Sequence, residues 1–278
     1  FDRRSVGGIM EPQEIETSPF EGMPRAAFRL LASLGERNER AWMEENVEAV
    51  GACLREPFLR FLEEATERLA AAGMELRGGA GTLFRMQRDL RFTSNRAPYH
   101  EHIEAVLSSD GSRIGTRGSI HVRLVKDGGF LRAGSFLLSP AARRALREAM
   151  VARSARFLAI VEDLENAGLG LSSDRALKSM PRGFAGVAAD PKLASFLRLV
   201  DPYAELRLTK VAWRSERILD ETLGFAEATR SWRLFMREAL EDVPLELAAS
   251  RPPRAPSRVS PEGPERRSTG ARRGRRRA

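Results

Sequence analysis

Residues 85–99 read Arg-Met-Gln-Arg-Asp-Leu-Arg-Phe-Thr-Ser-Asn-Arg-Ala-Pro-Tyr, which places four arginines, one aspartate, one asparagine and one tyrosine in fifteen positions. Clustered guanidiniums repel one another unless a carboxylate or an anion sits among them. Asp89 can neutralise one of them through a bidentate pair. The stretch then still carries a net charge of +3. Two kinds of compensation stay open. One is acidic side chains elsewhere in the fold, such as Glu44, Glu45, Glu101 or Glu104. The other is a bound phosphate, carboxylate or nucleic-acid backbone. On the second reading Arg85, Arg88, Arg91 and Arg96 hold an anionic small molecule, and Asp89 orients an arginine or acts as a base. Asn95, Tyr99 and His102 complete a polar rim, with the Tyr99 hydroxyl as a candidate acid. On the first reading the motif is an internal salt-bridge network that pins a loop, in a structural or partner-binding protein.

Geometry separates the motif's faces. In a helical turn Arg85, Arg88 and Arg91 share a face. In an extended chain Arg85, Asp89 and Arg91 share one face and Arg88 takes the other. Pro98 biases Ala97 toward extended backbone, so a loop leading into a strand is expected there. His100 and His102 then share one side of a strand, with His121 on a neighbouring strand. Three histidines near Asp89 could ligate a metal, but the spacing is weak and brings no cysteine partner, so neither metal nor cofactor is predicted. Lys178 and Arg182 flank a Pro-Gly turn, read as a structural turn or as a flap over the cleft.

The surrounding pattern must position these residues. Phe28, Leu30, Leu31 and Leu34 form a helical stripe after Pro24. Asn38 is a fair N-cap for a helix carrying Trp42 and Asn46, and Asn46 could reach the motif backbone. Pro57 is expected to restart the helix, which continues through Phe58, Phe61, Leu62, Ala65 and Leu69. Residues 100–138 change period to strands, with turns at Asp110-Gly111 and Asp127-Gly128-Gly129. Ile120, Val122 and Leu124 alternate with His121, Arg123 and Val125, as in a half-buried strand. Ser139-Pro140 starts a helix expected to run to about Ala167. A short helix near 191–199, a strand at 204–213 and a last helix from about Leu223 to Glu241 follow. In that last helix Phe225, Ala228, Trp232, Phe235 and Leu240 should face inward. All three tryptophans, with Trp213, read as core. This order of elements predicts an α+β fold: a single domain with a central antiparallel sheet and N-terminal and C-terminal helices packed on it.

Composition bounds the rest. The chain has 278 residues and 42% hydrophobic content, enough for a sizeable core. No apolar run approaches the ~20 residues that span a bilayer, so no membrane contact is predicted. The single cysteine, Cys53, reads as a buried small hydrophobe and suits a reducing cytoplasm. The net charge of +8 belongs to the tail, because residues 249–278 hold ten arginines and two glutamates. The remainder has 36 basic and 36 acidic residues and gives no electrostatic case for nucleic acid. The expected organisation is a leader or disordered N-terminus at 1–18, with Met10 as the plausible start, a domain at 19–247, and a disordered Arg/Pro-rich tail at 248–278. That tail suggests weak non-specific nucleic-acid binding, and a nucleic-acid-associated module is the alternative function.

The motif resembles the signature of an uncharacterised bacterial family, domain of unknown function 2461. That signature runs Arg-x-x-Arg-Asp-x-Arg-Phe, three residues, Asp or Asn, Lys, two residues and Tyr. Arg85, Arg88, Asp89, Arg91, Phe92, Asn95 and Tyr99 match in order, and Arg96 stands at the lysine position. Asn38, Trp42 and Asn46 resemble the family's Asn-Trp-Asn helix, and His102 falls where a histidine often follows Pro-Tyr. The segment 177–184, with Lys178 and Arg182, resembles its later Leu-Lys…Pro-Arg-Gly-aromatic turn. The chain departs from the family at Glu39, Met43, Val47 and Val50, where Asn, Phe, Lys and an aromatic residue are usual. The resemblance implies a family and carries over no reaction.

Overall fold

The computed structural model describes residues 19–92, 94–113, 117–136 and 138–243, and the side chains of Phe92 and Ala188 are outside that description. The leader expected at 1–18 and the tail expected at 248–278 lie outside the described residues. Helices α1 (Arg25–Glu36), α2 (Arg40–Val50) and α3 (Glu56–Ala71) lead the chain. Ala27, Phe28, Leu31 and Leu34 form the buried stripe of α1. A π-helical turn at Gly51–Arg55 joins α2 to α3, and α3 starts with Pro57 in its first turn, so the α-helix restarts there as expected without leaving the helical run. Proline lacks the amide that would bond the carbonyl four residues back, and its ring would clash with it. The wider π turn before Pro57 relieves both problems. Cys53 lies in that turn and is half-buried rather than buried.

The middle of the chain is a sheet. Strands β1 (His102–Leu107), β2 (Ser119–Val125), β3 (Gly128–Gly134), β4 (Leu171–Ser172) and β5 (Tyr203–Thr209) are ordered β1-β2-β3-β5-β4, and every pairing is antiparallel. The Asp127-Gly128 turn closes the β2–β3 hairpin as read from sequence. Gly128 has φ +138°, and a Cβ there would stand 2.2 Å from the Leu208 carbonyl oxygen, so only glycine lets β3 enter between its neighbours. The strand at 203–209 stops short of the expected 213, because the Thr209 hydroxyl accepts from the Ala212 amide and caps the short helix α7 (Lys210–Trp213).

Ser139 caps α4 (Pro140–Ala152), accepting from the Ala142 amide. The expected single helix to Ala167 is broken at Arg153, and α5 (Ser154–Asn166) follows. After α6 (Pro191–Leu197) and β5, the expected last helix begins earlier and is also broken, into α8 (Arg217–Ala228) and α9 (Arg230–Ala239). At the break the buried Thr229 hydroxyl donates to the Phe225 carbonyl. The break resets the helical face, so Ala226 is buried and Ala228, expected inside, is exposed.

One face of the sheet carries Ile103, Ala105, Leu107, Ile120, Val122, Leu124, Leu131 and Ala133, all buried in one cluster with helix residues from both ends of the chain. Trp42, Trp213 and Trp232 are buried; Phe58 stacks on Trp213 at 6.1 Å and Phe61 meets it edge-on at 5.4 Å between ring centroids. Each large side chain so buried contributes about 1.5–3 kcal/mol. The fold is therefore α+β, with N-terminal and C-terminal helices on a central antiparallel sheet. Among the described residues no helix is long and apolar enough to cross a membrane.

Candidate functional site

Alternation along the strands puts polar side chains on the sheet's other face. Register lines them up in rows. Glu104 of β1 is opposite Arg123 of β2, which is opposite Phe130 of β3. In the next row His121 is opposite Arg132, and Arg132 is opposite Glu205 of β5. Tyr203 of β5 lies in the row beyond.

Glu104 is the centre of this face. Its side chain is 13% exposed and accepts from Arg123 Nη2 at 2.7 Å and Nε at 3.2 Å. His121 Nδ1 lies 3.0 Å and His102 Nε2 3.3 Å from its two oxygens. Burial pushes the Glu104 carboxyl up, but the hydrogen bonds from both histidines and the Arg123 charge outweigh it and hold it well below the usual range. An ionised carboxylate only accepts, so His121 must carry its proton on Nδ1. Burial pushes His121 down against the pull of Glu104, which leaves a neutral imidazole with Nε2 as its remaining acceptor. That is the arrangement of an oriented general base.

His121 opens on a cleft of about 450 Å³. Three arginines (Arg123, Arg132, Arg175) and three carboxylates (Glu104, Asp174, Asp201) line it, so its charge is balanced internally. Arg132 donates to Glu205 at 2.5 Å and to Asp174 at 3.2 Å, and lies 4.1 Å over the Tyr203 ring and 4.3 Å over Phe130. Arg175 donates to Asp201 at 2.9 Å. Tyr203 donates to Asp174 at 2.7 Å. Burial and that bond push its hydroxyl up to about 12, so it keeps its proton and acts as a donor. Phe136 packs against His121 in a tilted arrangement at 3.8 Å between ring centroids, and Phe84 stacks on His121 at 6.1 Å.

The arginine motif forms the adjoining wall. Isolated bridges pair Leu83 with Ala105 and Gln87 with Tyr99, so the strand-like run 83–88 returns antiparallel along 98–105. A short 3₁₀ turn at Leu90–Phe92 lies between. The extended alternation applies up to Asp89: Arg85, Gln87 and Asp89 line a second cleft of about 300 Å³ with His100 and His102, Arg88 does not, and Arg91, in the 3₁₀ turn, does not join them as expected. The two clefts share Phe84, Glu104 and Arg123.

The individual expectations divide. Asp89 holds Arg91 in a bidentate pair at 2.7–3.2 Å, which draws its carboxyl down to about 2. Arg88 donates to the Ala97 carbonyl at 3.3 Å, and the Asn95 side chain accepts from the Ala97 amide. Arg96 is exposed and Tyr99 half-buried, and neither lines the two clefts. The offered compensators lie elsewhere: Glu45 pairs with Arg37, and Glu104 with Arg123 and the histidines. Among the described residues Arg85 and Arg88 make no ion pair.

Asn38 does not cap α2. Glu39 holds that position without a side-chain cap. Asn38 instead clamps Tyr99, accepting from its amide and donating to its carbonyl, both at 3.0 Å. Asn46 does not reach the motif, because its amide donates to the Trp42 carbonyl one turn back. Trp42 anchors α2 on α1 by donating to Ser33 at 2.9 Å. Lys178 and Arg182 are exposed and line neither cleft, although Asp174 and Arg175 upstream of them do. Sequence reasoning passed over Arg132, Asp174, Asp201 and Phe136 as site residues. Arg132 was within reach, because β3 alternates as β2 does.

The family model of conserved hypothetical proteins, DUF2461, matches residues 26–235. The chain belongs to this family. The DUF2461 match runs from α1 to Phe235 in α9, so it spans the motif, the whole sheet and both clefts. No curated protein matches the chain.

Proposed function

We propose that the open face of the sheet binds a small carboxylated or phosphorylated molecule, and that His121 is the group placed to exchange a proton with it. The carrying observation is the pair of clefts joined at Phe84, Glu104 and Arg123. The arrangement suits a ligand with one anionic end and one flat or apolar part. Arg85, without an ion pair among the described residues, faces the anionic end, and Phe84, Phe130 and Phe136 face the flat part. The rest of the motif holds the wall: Asp89 fixes Arg91, Arg88 and Asn95 tie the loop to Ala97, and Asn38 locks its exit. The internal pairing of Arg123 and Arg132 keeps these side chains in place before a ligand arrives. The lone Cys53 supports a cytoplasmic location for this chemistry.

The test is a thermal-shift panel of carboxylates, sugar phosphates and nucleotides on the full chain, repeated on Arg85→Ala and Arg175→Ala. A ligand at ~100 times its dissociation constant adds about 2.7 kcal/mol. The expected result is one ligand class that shifts the wild type and shifts both variants much less. A shift of equal size in wild type and both variants would place the site elsewhere.

A further inference from the structure

A second cavity, away from the open face, has the opposite electrostatics. It holds about 210 Å³, room for one tetrahedral oxyanion and a few waters. Arg230, Arg233 and Arg237 of α9 are spaced i, i+3 and i+7 and enter it from one helix face. Arg117, just before β2, enters from the other side. Gly118 brings the two together: a Cβ there would lie 2.2 Å from the Arg233 carbonyl oxygen. Four guanidiniums thus meet one lining carboxylate, Glu75, and Glu227 reaches Arg230 at 3.5 Å from outside the lining.

Arg233 is the telling residue. It is 7% exposed, yet its only hydrogen bonds among the described residues are to the Ala226 carbonyl and the Met74 sulfur. Its Nε and the Nε of Arg117 are buried without an acceptor. Burial and the neighbouring Arg230 and Arg237 hold its pKa down to about 10, so the charge persists at neutral pH. A buried guanidinium is ordinarily matched by a carboxylate. Among the described residues Arg233 thus has no carboxylate partner, and it lines a cavity of oxyanion size with three further guanidiniums.

We propose that the pocket between the start of β2 and α9 binds a phosphate group, either as inorganic phosphate or as the terminal group of a phosphate monoester. Arg233 and Arg117 reach it from the buried side, and Arg230 and Arg237 close the rim. Calorimetry on the full chain at constant ionic strength tests this, with inorganic phosphate in one arm, glycerol phosphate in the other and chloride as the blank. Saturable binding is expected in at least one arm, and the tighter arm names the source. Arg237→Gln, an exposed rim change, should weaken it about tenfold, and Arg233→Met should abolish it. Arg144→Gln removes the same charge from a distant exposed pair and should leave affinity unchanged. Absence of saturable binding in both arms overturns the site. So does an equal loss in Arg144→Gln and Arg237→Gln, which would reduce the effect to net charge.

Discussion

The open-face cleft and the α9 pocket are both rich in arginine, and they treat its charge in opposite ways. In the cleft three arginines meet three carboxylates, and hydrogen bonds join them across the strands. In the pocket four arginines meet one carboxylate, and two buried Nε donors have no acceptor. A region that neutralises itself can keep a neutral imidazole such as His121 among charges. The excess of guanidiniums in the other region is what the proposed phosphate site rests on. Arginine count alone would rank the two alike, and pairing separates them.

Breaking the pairing in the cleft gives the largest effect. Glu104→Ala strands Arg123 and both histidines, and should cost about 3 kcal/mol in chemical denaturation. Arg233→Met in the pocket is the converse test. It removes a lone buried charge and fills its space with apolar atoms, so without phosphate it should be neutral or stabilising by about 1 kcal/mol. Equal destabilisation by both changes would erase the distinction between the regions. Next in size, Asn38→Ala removes both bonds to the Tyr99 backbone. It should cost about 2 kcal/mol, with faster hydrogen exchange at the Tyr99 amide.

Much of this fold was legible in the sequence, because core periodicity is a local signal. Ile120, Val122 and Leu124 gave both the strand and its buried face, and the Asp127-Gly128 turn gave the hairpin. The helix breaks at Arg153 and Thr229 were not legible, since neither residue forbids a helix and tertiary packing decides. The site was legible in part. Extended alternation placed Arg85 and Asp89 together, and His102 and His121 were read as neighbours. Asn38 misled because an asparagine before a helix reads as a cap, and its partner Tyr99 is 61 residues away. Asp174 and Asp201 lie in irregular chain with no period to read, so only the folded topology brings them to Tyr203 and Arg175.

The remaining predictions are smaller. Stability should fall in two steps on acidification. His121, pushed down by burial, gives a contribution that is full above the ordinary imidazole range and is lost as pH falls through its lowered value, because the unfolded chain protonates first. Glu104 acts in the same sense at lower pH, below the ordinary carboxylate range. Denaturation midpoints against pH should show a smaller upper step in His121→Gln, with the rest carried by His100, which burial also pushes down, and a smaller lower step in Glu104→Gln, with the rest carried by other lowered carboxyls such as Asp174. In alkali, absorbance should show a tyrosine titrating at about 12 that disappears in Tyr203→Phe. Asp89→Asn breaks an exposed pair and should leave the midpoint unchanged.

The cleft's self-neutralisation is tested most directly by nitrogen-15 NMR of the imidazoles in the full chain. It has three histidines, so His121→Gln assigns the signal. The prediction is a neutral His121 at pH 7 with its proton on Nδ1, titrating only below the ordinary imidazole range. A doubly protonated His121 at pH 7, or a proton on Nε2, would contradict it and remove the base from the cleft.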